Sequence, residues 1–162
     1  WALDRNLTVI GNTDIHNLIA HDYDIEREGV HRTMTLVMSK DRSAEAIREA
    51  LEKGNTVAWS SNYLFGKEEN VRNLFHACVK FSSAYHEKTN AQGKKTKYYE
   101  LSNNSDLHFE LHLKQGNGTQ KVILYPQSTQ IITASGNQSK LTYEVVSTYI
   151  RSDQHLKVDL SL

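Results

Sequence analysis

The chain has 162 residues, 19 Lys plus Arg against 19 Asp plus Glu, and 38% hydrophobic residues, with a pI near 7.3. That balance provides no global field for a polyanion or an anionic membrane surface, so neither nucleic acid nor a membrane is an expected partner; no apolar run approaches the roughly 20 residues that span a bilayer. Cys78 is the only cysteine, which excludes an intramolecular disulfide and any multi-cysteine zinc site.

The length allows one domain or two small ones. The sequence opens on Trp1 rather than Met and carries no visible secretory signal, and it reads as a truncated or mature fragment. Leu7 to Ile10 reads as a short buried strand leading into Gly11-Asn12-Thr13-Asp14-Ile15-His16. On an extended segment Asp14 and His16 share a side. A carboxylate and an imidazole at a strand end are oxygen and nitrogen donors suited to a divalent metal. A long polar loop follows, and Met34 to Met38 reads as a second strand covered on both faces. Ser43 is the expected N-cap of a helix over Ala44 to Lys53, with Glu45 in its first turn and Gly54 as its stop. Thr56 to Trp59 reads as a strand. Lys67 to Cys78 reads as an amphipathic helix, with Val71, Leu74, Phe75 and Cys78 on one face.

Beyond residue 78 the hydrophobic period becomes two. Val79, Phe81 and Tyr85 lead to the turn Asn90-Ala91-Gln92-Gly93, and Tyr98 to Leu101 returns as the second arm of a hairpin. After the polar turn Asn103 to Asp106, Leu107, Phe109, Leu111 and Leu113 alternate with His108, Glu110 and His112. Further strands read at Val122 to Tyr125, Gln130 to Ala134, Leu141 to Tyr149 and Leu156 to Leu162. Gly116-Asn117-Gly118, Pro126, Gly136-Asn137 and Ser152-Asp153 separate them. About seven short strands at this spacing predict an antiparallel sandwich of immunoglobulin-like type. The expected division is residues 1–77 and 78–162, with no Ser/Gly-rich or Pro-rich linker between them.

The first part resembles a known family. Gly11 to His16, His31-Arg32-Thr33-Met34-Thr35-Leu36-Val37, Ile47 to Leu51 and Thr56 to Trp59 resemble the C-terminal part of a PHP-domain metal-dependent phosphoesterase. Asn103 to Leu107 and Tyr143 to Val146 resemble the β-sandwich tail of bacterial two-domain members. The resemblance implies the end of a distorted β/α barrel followed by that sandwich. It implies hydrolysis of a phosphorylated small molecule at a cluster of divalent ions (Zn, Mn, Fe or Mg), with Asp14 and His16 as the last ligand pair. The metals would bind phosphate oxygens and lower the pKa of a bridging water. The family's early His-x-His pair and other ligands have no counterpart before Asp14, so the isolated chain is expected to be inactive, to carry no catalytic residue and to bind metal weakly. A bacterial, periplasmic or secreted location is expected if a signal has been removed upstream.

Other polar groups are weighed against solvent. His21, Asp22 and Asp24 could line a pocket but read better as an exposed loop; His31 and Arg32 precede a buried strand, where the guanidinium could contact a substrate phosphate and a structural ion pair is the better account. Lys94, Lys95 and Lys97 read as guards of a hairpin edge. His108 and His112 share a strand face, where solvation is a better account than a metal pair. An alternative function makes the sandwich a carbohydrate- or protein-binding module and residues 1–77 a structural remnant. A barrel end that lacks earlier strands leaves apolar surface uncovered, which predicts self-association.

Overall fold

The computed structural model describes residues 1–24, 31–115 and 118–162. The chain divides into one unit of Trp1–Val71 with Thr148–Gln154, and a second of Arg72–Ser147 with His155–Leu162. The expected division at residues 77 and 78 contains no such return, and residues 148–154 join the first unit through a strand. The Gly116-Asn117 part of one expected turn, and residues 25–30 of the long loop, lie outside the described residues.

In the first unit, a short 3₁₀ turn (Leu3–Arg5) and a single-turn helix α1 (Ile19–Asp22) precede β1 (Met34–Val37). Helix α2 (Ala44–Glu52) begins where its cap predicts: Ser43 Oγ accepts the amide of Ala46 at 3.2 Å. Its C-cap, Lys53, is followed by Gly54, whose φ of +70° is a left-handed conformation that favours glycine. Strands β2 (Thr56–Ser60) and β3 (Tyr63–Gly66) follow, then helix α3 (Glu68–Cys78). Strand β3 has no counterpart in the sequence reading. The sheet order is β1, β2, β3 and β11 (Thr148–Tyr149).

Pairing in this sheet differs from a β/α alternation of parallel strands. Strand β2 is antiparallel to both β1 and β3, and only β11 runs parallel, against β3. The reason lies in the loop that carries α2. Val37 pairs with Thr56, and the Met38 amide donates to the Asn55 carbonyl at 3.0 Å. The chain therefore leaves and re-enters the sheet at the same end instead of crossing to the other. Leu36, Val57, Trp59, Leu64 and Gly66 share one face, and Thr35, Thr56, Ala58, Phe65 and Tyr149 the other. A Cβ at Gly66 would lie 3.2 Å from Val71 Cγ2, so α3 starts packed on the first of these faces. The buried Asn70 side chain joins that helix to the α2–β2 turn, donating to the carbonyls of Gly54 (2.8 Å) and Thr56 (3.2 Å).

Among the described residues, the second unit holds the rest of α3 and eight strands: β4 (Val79–Phe81), β5 (His86–Thr89), β6 (Lys95–Asn103), β7 (Phe109–Gln115), β8 (Gly118–Leu124), β9 (Ser128–Ser135), β10 (Lys140–Val145) and β12 (Leu156–Ser161). They form two antiparallel sheets. One has the order β12-β10-β7-β8; in the other, β6 pairs with β9 along one side and with β4 and β5 on the other. The expected hairpin is present: Asn90 Oδ1 accepts the amides of Gln92 and Lys94 at 3.0 and 2.9 Å. Alternation works as read, with Phe109, Leu111 and Leu113 buried beside Leu141, Tyr143 and Val145 and beside Leu156, Val158 and Leu160. Tyr99, Leu101, Ile132 and Ala134 form the buried face of the other sheet. Burying one face of each sheet in a common core is the arrangement of a β-sandwich. Phe75 of α3 meets Phe109 edge-on at 5.3 Å.

The segment read as one strand from Leu141 to Tyr149 breaks in two, because β10 ends at Val145 and β11 pairs in the other unit. The polar turn after β6 is organised from inside. Asn103, 1% exposed, donates to the carbonyls of Leu107 (2.6 Å) and Tyr125 (3.0 Å) and accepts from the Ser105 amide and hydroxyl.

Two core hydroxyls contrast with Asn103. Tyr99 and Tyr143 are buried, and neither hydroxyl has a hydrogen-bond partner among the described residues. Burial raises the Tyr143 phenol from 10.0 to about 12. The folded state therefore holds this proton more tightly than the unfolded chain. Its contribution is complete below pH 10 and is lost as pH rises toward about 12, an interval worth roughly 3 kcal/mol. Tyr143→Phe should leave stability at pH 7 within about 1 kcal/mol of the parent. It should also move the alkaline unfolding midpoint upward; circular dichroism titrations of both proteins from neutral to strongly alkaline pH read the difference.

Candidate functional site

Residues 7–16 belong to no strand. Leu7 is 44% and Ile10 56% exposed, which corrects the reading of a buried strand at Leu7 to Ile10. Threonine side chains replace ladder pairing here. The Thr35 hydroxyl accepts the Gly11 amide and donates to the Gly11 carbonyl, both at 3.0 Å, and Thr56 Oγ1 donates to the Val9 carbonyl at 2.7 Å. Thr35 and Thr56 lie on the same sheet face, so the segment Val9 to Gly11 is fastened across that face. Close approach there requires glycine: a Cβ at Gly11 would meet the Met34 carbonyl at 3.0 Å and Ala58 Cβ at 3.1 Å.

From this anchor the chain turns outward. Asp14 has φ +53°, a left-handed conformation that Asp tolerates better than most residues. This corrects the extended geometry expected for Asp14-x-His16, because side-chain alternation holds only along extended backbone. Asp14 and His16 are both exposed. Among the described residues, no group of three or more His, Cys, Asp or Glu side chains is arranged to hold a metal ion. One carboxylate and one imidazole are the right donor types, yet two donors fall short of the three or four of a tight site. By themselves, the residues present do not build a metal centre.

The remaining candidates separate. His21, Asp22 and Asp24 are exposed, as expected of a solvated segment. The His31 ring packs on Trp59 with centroids 3.7 Å apart, and its two nitrogens lie 2.8 and 2.7 Å from the carbonyl oxygens of Arg32 and Ser61. That makes His31 a structural clasp on the β2–β3 turn. Arg32 is exposed and forms no ion pair among the described residues, so the expected structural ion pair is not found there. In the sandwich, His112 Nε2 hydrogen-bonds Glu110 Oε1 at 2.7 Å, while burial holds His108 below the usual imidazole range against the opposing pull of Glu110. Lys95 pairs with Glu87 at 2.8 Å across the hairpin.

An open groove of about 360 Å³ lies in the first unit, where the residue 1–3 turn and Val9 approach Ala58, Phe65 and Tyr149. Phe65 and Tyr149 stack at 5.2 Å with an 8° interplanar angle. Neither Asp14 nor His16 lines this groove. The sequence reading missed it because it depends on β3 and β11, two short strands with no periodic signature of their own. It also missed Thr35 and Thr56, which as β-branched residues read only as strand formers.

With both sheets described, the second unit is an immunoglobulin-like β-sandwich. A family model described as an Ig-like domain, DUF5001, matches residues 79–161, a little over half of the chain, and the chain belongs to that family. No curated protein matches it. Among solved structures, it is similar to the crystal structure of a two-domain protein containing a predicted PHP-like metal-dependent phosphoesterase from Bacteroides vulgatus. Identity is 32% and the TM-score 0.85, over 100% of this chain and 48% of that one. The chain thus spans about half the length of that protein.

The anchor is testable without any ligand. Gly11→Ala should destabilise the protein by about 1–3 kcal/mol, since its new methyl meets a backbone carbonyl that cannot rotate away. Asn12→Ala, at an exposed neighbour, should stay within about 0.5 kcal/mol of the parent. Urea midpoints of the three proteins measure this.

Proposed function

We propose that the chain is the C-terminal part of a bacterial PHP-like metal-dependent phosphoesterase. Residues 1–77 would be the end of its barrel, and residues 78–162 the Ig-like domain. Asp14 and His16 supply the last ligand pair of its metal cluster, and the substrate class is a phosphorylated small molecule. The observation that carries this reading is the similarity of the entire chain, at 32% identity, to a two-domain protein described in those terms. The Gly11 anchor supports it locally: a glycine clamped to the sheet by Thr35 fixes the start of the segment that leads to both residues. The rest of the ligand set belongs, in this reading, to upstream sequence, and the 162 residues alone are inactive.

The test is phosphomonoesterase activity and bound-metal content of the complete polypeptide. Asp14→Ala and His16→Ala should each lower activity by about a hundredfold or more, as loss of a direct ligand should exceed the 10–100-fold typical of groups behind it. Unchanged activity and metal content in both variants would refute the assignment.

The 162-residue chain by itself should also self-associate, through the exposed apolar side chains Leu7, Ile10 and Leu18. Sedimentation velocity at high micromolar concentration should show dimers or larger species, and Leu18→Glu should shift them toward monomer. A clean monomer of the parent chain rules this out.

A second reading makes the sandwich a carbohydrate- or protein-binding module. What favours it is the outer side of the β5-β6-β9 sheet, where the Tyr98 and His86 rings lie 5.2 Å apart and Ile131 is 61% exposed. A glycan and protein binding screen on the chain distinguishes the two readings, since the phosphoesterase reading expects no saturable binding there.

A further inference from the structure

The connection between β10 and β12 is much longer than their pairing requires. Val145 faces Leu156, a register that a connection of two to five residues can close. The chain instead runs through residues 146–155, of which 148–154 belong to the first unit. There Thr148 and Tyr149 pair in parallel with Leu64 and Phe65, and Thr148 is fully buried. The Tyr149 ring stacks on Phe65 and lies 5.9 Å from Tyr63. The Ile150 amide then donates to the Gln154 carbonyl at 2.9 Å, turning the chain back, and the Ser152 hydroxyl donates to Asp4 at 3.1 Å.

We propose that residues 148–154 are a strap by which the Ig-like sequence completes the sheet of the first unit and holds the Val9–Gly11 segment in place. Three observations converge on this role. The strap satisfies the free edge of β3, which would otherwise present unpaired amides and carbonyls. Its aromatic ring lies on the sheet face that carries Thr35 and Thr56, and it lines the same groove as Val9. It also reaches the start of the chain through Asp4. Tyr149 is thus a positioning residue, acting on the site segment through Phe65 and the groove. The sandwich, in turn, has no need of the excursion to close β10 onto β12. The link to Asp14 and His16 as metal ligands rests on the function proposed above; the structural role of the strap does not.

Hydrogen exchange on the whole chain tests it. In one variant a single Gly replaces residues 148–154, leaving Val146-Ser147-Gly-His155 as a four-residue connection. The second variant is Tyr149→Ala, which keeps the chain length and removes the stacked ring. In both, amides of β2, β3 and residues 9–11 should lose protection by about tenfold or more, while amides of β7 and β8 keep theirs. If the shortened variant does not fold, Tyr149→Ala alone decides. Unchanged protection in β2 and β3 overturns the proposal, and so does an equal loss across β7 and β8, which would reflect general destabilisation. No metal enters this measurement, so a negative result for metal binding leaves it intact.

Discussion

Strand β2 is the reference for the whole first unit, because its neighbours β1 and β3 carry distinct parts of the candidate site. Toward β1 its register brings Ala58 opposite Thr35, the residue that holds Gly11. Toward β3 the same Ala58 faces Phe65, the residue on which Tyr149 stacks. Its first residue, Thr56, is almost fully buried, and its hydroxyl fastens Val9. A one-residue slip in this strand would reverse its faces and release both the anchor and the groove at once.

The sandwich solves a different problem, that of polar groups inside an apolar core. Asn103 is buried with both ends of its amide satisfied, and a buried, fully bonded amide gives directional constraint as well as burial. It thereby holds the β6–β7 connection and the end of β8 together. Tyr99 and Tyr143 are large apolar fillers whose hydroxyls gain no partner among the described residues. Their rings account for their positions: Tyr99 stacks on Phe81 at 5.2 Å, and Tyr143 lies fully buried in the middle of β10. The same residue types on the surface would carry no such distinction.

Local chemistry was legible wherever one interaction determines an element. The Ser43 cap, the Gly54 stop, the apolar stripe Val71, Phe75 and Cys78, and the alternation through β7 all depend on neighbours three, four or two residues away. Leu7 to Ile10 misled for the opposite reason. Its apolar composition suits a buried strand, but the backbone is held by two threonine hydroxyls that lie 24 and 47 positions along the chain. The Asp14-x-His16 pair was visible as a donor pair, while its geometry was not, because a left-handed Asp14 leaves no trace in hydrophobic periodicity.

By itself, the sequence determined the balanced charge, the change from helical to two-residue period near residue 78, the immunoglobulin-like character of the second half and the identity of the two donors. These are properties of composition and of short-range spacing. Only the tertiary structure decided that β1 and β2 are antiparallel, that Gly11 is clamped beneath Thr35 and that residues 148–154 leave the sandwich sequence to finish another sheet. Each of these is a pairing between residues far apart in the chain. Its free energy comes from hydrogen bonds and burial that exist only once both partners are in place, and no local pattern encodes that.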